Sequence, residues 1–217
     1  MRLPARCASA VMAAATLCWL GAWPVQAHPH VWITAESTVL YENGTFVGLK
    51  HRWSFDEFYS AMEVEGLDKN NDGKLDREEL AELANFYVSG LKEYSYFTFP
   101  ALGGQKLQLG EPTDIWLEHK DNILSLNFTV PFAKPVLMDA KSFAFSVYDP
   151  SFYIALDISK PNSMRLAEGT PKSCKVSIGD HAKDKANDAA LNEAFSAQFG
   201  AMAGGSVKAV SVTCAAS

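Results

Sequence analysis

Two sets of side chains in this sequence have the types and spacings that bind cations. The first is the run Asp68-Lys-Asn-Asn-Asp-Gly-Lys-Leu-Asp-Arg-Glu-Glu79. Asp68, Asn70 and Asp72 place side-chain oxygens at its first, third and fifth positions, and Gly73 permits the sharp turn at the sixth. Lys74 offers its backbone carbonyl, Asp76 acts directly or through water, and Glu79 can close the site with both carboxylate oxygens. A hard cation needs roughly six to eight such oxygens, so this is an EF-hand pattern and calcium is its expected ligand. The competing reading is an acidic surface turn that matches by chance. EF-hands ordinarily pair, yet the sequence holds one such loop. The expectation is therefore that a sheet replaces the missing partner, Leu75 anchors the loop, and calcium clamps the segment between Phe55 and Leu91 rather than serving as a sensor.

The second set is His28 and His30. Two residues apart on an extended strand, they point to the same face and can grip one ion. The amino-terminal copper and nickel site with histidine in third place needs a deprotonated intervening amide, which Pro29 lacks. Binding must then use the imidazoles, joined by the α-amino group of His28 if cleavage precedes it. Two imidazoles without a thiolate suit nickel, cobalt, zinc or copper. Counting back from Asn43-Gly44 in the simplest register sets Glu57 opposite His30 and His51 opposite Glu36, so Asp56 or Glu57 can add a carboxylate. Against this, a tip with two histidines is often merely hydrated, and Asp56 with Glu57 can simply serve a helix amino-terminus. His119 and His181 read as exposed histidines, and Asp149 as an Asp-Pro turn.

These residues need elements to hold them. Alternation from Val31 to Tyr41 and from Thr45 to Trp53 around Asn43-Gly44 predicts an antiparallel hairpin with a type I′ turn. Ser54-Phe-Asp-Glu57 fits a capping box opening a helix to about Gly66, and a second amphipathic helix runs from Arg77 to about Glu93. From Tyr96 the pattern becomes short strands, at about 96–99, 105–109, 113–119, 123–130, 142–148, 152–158 and 173–178. Leu191, Phe195, Phe199 and Met202 then share one helical face, and a last strand follows to Cys214. The expected fold is α+β: a sandwich-like antiparallel sheet protein with an inserted EF-hand helix-loop-helix at about 55–92 and a C-terminal helix.

Residues 1–27 read as a signal peptide, with Arg2 and Arg6 ahead of an apolar run and Val25-Gln26-Ala27 before His28. Residues 28–217 then form a single domain in the periplasm, and the mature chain does not span the membrane. Its net charge moves from −6 to −8, which repels nucleic acid and favours cations. With 48% hydrophobic residues the chain is ordinary for a globular domain. Cys7 and Cys18 leave with the leader, so Cys174 and Cys214 are expected to join two strands as a disulfide.

His28-Pro-His-Val-Trp-Ile33, Trp53-Ser-Phe-Asp-Glu57, the calcium-like loop, Tyr94-Ser-Tyr-Phe97 and Tyr148-Asp-Pro-Ser-Phe-Tyr153 together resemble the DUF1007 family of exported bacterial proteins. The resemblance covers nearly the whole mature chain. It implies a periplasmic component of a transport system for nickel, cobalt or zinc, working with a separate membrane transporter. Two functions follow as expectations. One is a metal-binding accessory using His28 and His30; the other is a calcium-ordered interaction module whose exposed aromatics, among Trp32, Trp53, Tyr94 and Tyr96, dock onto a membrane partner. Enzyme activity is not expected, since the sequence has no GxSxG elbow, no HExxH and no cysteine nucleophile.

Overall fold

The computed structural model describes residues 30–138, 143–151, 153–180 and 207–215. The expected leader, His28, His181 and the expected C-terminal helix lie outside them. Among the described residues the strands form two sheets, and the structure is α+β. None of the described helices is long and apolar enough to cross a membrane.

Alternation builds the first sheet. In β1 (Val31–Glu42), Val31, Ile33, Ala35, Ser37 and Val39 are buried while their neighbours face outward. The turn at Asn43 and Gly44 has φ of 47° and 86°, as the hairpin expectation requires, and leads into β2 (Thr45–Phe55). β2 pairs on its other side with the long strand β6 (Ile123–Leu137), which pairs in turn with β5 (Thr113–Lys120). On the far side, β1 pairs in parallel with β8 (Ile154–Asp157) and β9 (Met164–Leu166), so the sheet is mixed rather than purely antiparallel. The second sheet runs β10 (Cys174–Asp180), β11 (Lys208–Cys214), β7 (Phe143–Val147), β3 (Thr98–Leu102) and β4 (Gln105–Lys106). Cys174 lies directly opposite Cys214, and the two sulfurs are bonded.

The core lies between the sheets. Phe46, Leu49, Trp53 and Phe128 of the first sheet meet Phe143, Phe145 and Val210 of the second, and Phe46 stacks on Phe143 with ring centroids 5.6 Å apart. Each such side chain stabilises the fold by roughly 1.5–3 kcal/mol relative to exposure.

The hairpin departs from the simplest register. Tyr41 faces Phe46 but Leu40 faces Gly48, so Val47 is an extra residue and every later pairing moves by one. Gly48 is needed there, because a Cβ would stand 2.6 Å from the carbonyl oxygen of Val130 on β6. As a result His51 faces Ser37, not Glu36, and Ile33 faces Phe55.

Between β2 and β3 sit helices α1 (Glu57–Glu63) and α2 (Ala81–Leu91). The capping-box reading places the helix start too early. Strand pairing holds Ser54 and Phe55 in β2, so Asp56 is the N-cap and accepts from the Tyr59 amide at 2.9 Å. α1 stops at Glu63, before Gly66, whose φ of 76° breaks the helix. α2 begins at Ala81 rather than Arg77, because the residues before it close the loop. After α2, Lys92–Phe97 form a tight turn in which Ser95, Tyr96 and Phe97 are all left-handed, with φ of 54°, 54° and 47°.

Candidate functional site

The loop from Asp68 to Glu79 is wound by its own carboxylates. Asp68 accepts from the amides of Asp72 and Gly73, at 3.2 and 2.9 Å, and Asn70 Oδ1 accepts from Asp72 at 2.8 Å. Glu79 reaches across the loop. Its Oε1 accepts from the amides of Lys69 and Asn70, and its Oε2 from that of Asp76. Asp76 in turn accepts from Glu78 and Glu79 and so starts the turn that leads into α2. The first, third and twelfth positions of the motif are thus tied to one compact loop. Lys74 donates its amide to Asp72, which leaves its carbonyl outside that contact. Among the described residues, no three His, Cys, Asp or Glu side chains stand together as a ready-made metal set. Calcium at this loop would draw as well on the Asn70 amide oxygen and the Lys74 carbonyl, which are hard oxygen donors of the kind the ion takes.

The sheet holds the loop in place. Leu75 packs on the core, Leu80 is buried, and the Arg77 guanidinium lies 3.8 Å from the centre of the Trp116 ring on β5. α2 packs against that same edge strand. Its Tyr87 hydroxyl donates to Glu63 of α1 at 2.7 Å, and the Phe55 ring packs near both the Tyr59 and Tyr87 rings, with centroids 5.0 and 5.5 Å away. Burial first, then the bond to Tyr59, pushes the Tyr87 phenol far up, so it stays a donor at any ordinary pH.

His30 is exposed at the start of the first sheet. Its amide donates to the Tyr153 carbonyl at 2.8 Å, and its ring lies 4.7 Å from the Tyr153 ring. Because of the Val47 bulge, Glu57 no longer falls opposite His30 as the simplest register sets it, and Asp56 stands against Trp32. It donates its amide to the Trp32 carbonyl and accepts from the Trp32 amide at 3.2 Å through Oδ2. Both Asp56 oxygens therefore already hold backbone, whereas Glu57 is exposed in the first turn of α1. Tyr153 is the neighbour of His30 that strand counting missed, since no local pattern announces a parallel pairing between β1 and β8.

His51 belongs to the core. It is fully buried, with Nδ1 2.8 Å from the Ser37 hydroxyl and Nε2 3.2 Å from the Thr98 hydroxyl. Thr98 donates its proton to the Tyr96 carbonyl, so Nε2 carries the ring proton and Ser37 donates to Nδ1. Burial pushes the His51 pKa down to about 3. The ring links the two sheets and is not available to a metal. Trp53 and Tyr96 are likewise buried and cannot dock a partner, whereas Trp32 and Tyr94 are exposed. His119 is half-buried on β5.

Asp149 makes the expected turn: it accepts from the Ser151 amide and hydroxyl and from the Ile154 amide, which launches β8. Beside it a cleft of about 290 Å³ opens between β8 and the start of β11, lined by Val147, Ile154, Leu156, Ile158, Asp157 and Lys208. The Ser159 hydroxyl and amide hold the Asp157 carboxyl below its usual range. Nothing in the sequence pattern marks this cleft.

The family model for DUF1007, described as a protein of unknown function, matches residues 13–214. The chain belongs to the DUF1007 family. Among curated relatives, this DUF1007 protein is 33% identical over 105 residues to an uncharacterized 15.5 kDa protein in the trpE 3′ region of Spirochaeta aurantia. That match spans 47% of the chain and 74% of the relative. An uncharacterized protein of Haemophilus influenzae is 22% identical over 151 residues, 70% of this chain and 72% of its own.

Proposed function

We propose that this DUF1007 protein is an exported, periplasmic metal-binding accessory of a nickel, cobalt or zinc transport system, with a structural calcium ion in the Asp68–Glu79 loop. The observation that carries the calcium part of the reading is Glu79 joining both ends of that loop, since the twelfth residue of a calcium loop must reach back to the first turn. Asp68, Asn70, Asp72, Asp76 and Glu79 would supply side-chain oxygens, and Lys74 its carbonyl. Bound there, calcium neutralises carboxylates that otherwise repel one another. The transition metal would sit on His28 and His30, with Glu57 the freer carboxylate and Asp56 the one already committed to backbone. Transport context comes from the resemblance to exported proteins associated with such transporters.

Calorimetric titration of the mature protein tests both parts. Calcium should bind one ion per chain, and Glu79→Gln should weaken it at least about tenfold, as expected for losing a bidentate ligand. Unchanged affinity would sink the calcium assignment. Nickel, cobalt, zinc and copper titrations of wild type, His28→Ala and His30→Ala should show loss in both variants, and equal affinity in all three proteins would remove the histidine site. A second reading, an interaction module without a transition metal, is favoured by the exposure of Trp32 and Tyr94.

A further inference from the structure

The cleft beside Asp149 runs along the edge of a strand. Ile154, Ala155, Leu156, Asp157 and Ile158, five residues in a row, all line it. Successive side chains of a strand point to opposite faces, so a cavity lined by every one of them follows the strand's edge rather than either face. One edge of β8 is taken by β1, and β8 ends the strand order of its sheet. The cleft therefore opens on the other edge. Its far wall includes Val147, Val207 and Lys208, and because the pairing of β11 with β7 covers only Val210, Ser211 and Val212, Lys208 stands beyond it.

Alternation also decides which backbone groups face the cleft. The Tyr153 carbonyl is turned to the β1 side, where it accepts from the His30 amide at 2.8 Å, while the Ile154 amide is turned away, to Asp149 Oδ2 at 2.9 Å. In a parallel pair every second residue bonds the neighbour, so Ala155 and Asp157 face β1, and Leu156 faces away with both its N–H and its C=O. The Ile154 carbonyl faces the same way as Leu156. Among the described residues no strand pairs with this row. Such a row is a template for one more strand.

We infer that β8 and its cleft take up an extended apolar peptide segment of another protein, which pairs with Leu156 and sets one or two side chains among Val147, Leu156 and Ile158. The size fits that occupant: the cleft's volume of about 290 Å³ is at the lower bound of small-molecule sites, roughly 300 Å³. The charge fits as well. The Asp149 carboxyl is taken up by Ser151 and Ile154, and Asp157, which accepts from the Ser159 amide at 2.8 Å, shares the lining with Lys208 of opposite sign. The cleft therefore selects no net charge. A free apolar molecule would fill it but leave the Leu156 N–H and C=O unmatched, whereas a peptide backbone offers an acceptor and a donor at the strand repeat. The inference goes beyond the metal readings and needs neither ion.

The test is amide hydrogen exchange, read by NMR on the mature protein with and without an end-blocked peptide of alternating Val and Thr. Without peptide, the Ala155 amide should be protected by β1 and the Leu156 amide should exchange fast. The peptide should slow exchange at Leu156 by at least about tenfold and leave Ala155 as it was. Fluorescence anisotropy of the labelled peptide supplies the affinity. Methylating every second peptide nitrogen removes the donors of one peptide edge, so one of the two methylated forms should lose binding and the other keep it. Leu156→Pro removes the outward N–H and no bond to β1, and it should weaken binding about tenfold, the worth of roughly one hydrogen bond, with unchanged circular dichroism. If that variant does not fold, the exchange data on the wild-type chain decide. A Leu156 amide already protected without peptide would mean that the edge is covered and would overturn the inference. So would undiminished binding of both methylated peptides, displacement of the peptide by equimolar octanoate or free valine, or a dimer in sedimentation that the peptide dissociates. None of these readouts involves calcium or a transition metal, so this inference and the metal readings can fail separately.

Discussion

His51, Ser37 and Thr98 make a polar link through an otherwise apolar core, and the link is complete only while the imidazole is neutral. Protonation at Nδ1 would remove the acceptor that Ser37 uses and bury a charge with no carboxylate in contact. In the unfolded chain the same histidine titrates near 6.5, so between pH 6.5 and about 3 the unfolded state binds a proton that the folded state does not. This contribution to stability is full above pH 6.5 and is lost as pH falls through that window. The expected result is a wild-type stability curve steeper than that of His51→Gln by up to about 1.4 kcal/mol per pH unit over that range. Urea denaturation at several pH values measures it, and parallel curves would show that the imidazole is already charged in the fold.

Elements defined by local chemistry are legible in the amino-acid sequence. Asn43-Gly44 announces the hairpin because its backbone must turn left-handed, and the Asp68–Glu79 spacing announces a compact acidic loop. What is not legible depends on contacts far along the chain. Gly48, beside the Val47 bulge, answers to the approach of Val130, and the β1–β8 pairing depends on the Asp149 turn more than a hundred residues later. Ser54 has a capping side chain, but strand pairing to β1 and β6 overrides it. The turn at Ser95, Tyr96 and Phe97 is another such case: three successive left-handed residues, none of them glycine, held because Tyr96 and Phe97 must reach the core. Each costs roughly 1–2 kcal/mol relative to an ordinary conformation. Ser95→Gly should therefore raise stability by about 1 kcal/mol, read as a higher thermal midpoint with unchanged cooperativity. A lower midpoint would mean that the serine side chain does more there than the backbone argument allows.

At the scale of the molecule, the two sheets are joined by their shared core and by the histidine link, while the disulfide acts within the second sheet alone. Replacing both cysteines, Cys174→Ala with Cys214→Ala, should lower stability by about 2–4 kcal/mol in chemical denaturation, chiefly by freeing the unfolded chain. The bond also has a topological effect. Strand β11 lies between β10 and β7, and the bond makes residues 174–214 a closed covalent ring that contains the connection from β10 to β11. A protease that cuts once inside residues 181–206 opens the ring but releases nothing. The clipped protein should gain the mass of one water, run as a single species without reductant and part into two only when reduced. Where such a cut occurs, β11 should stay seated between its neighbours, and the molecule should persist as two chains sharing one fold.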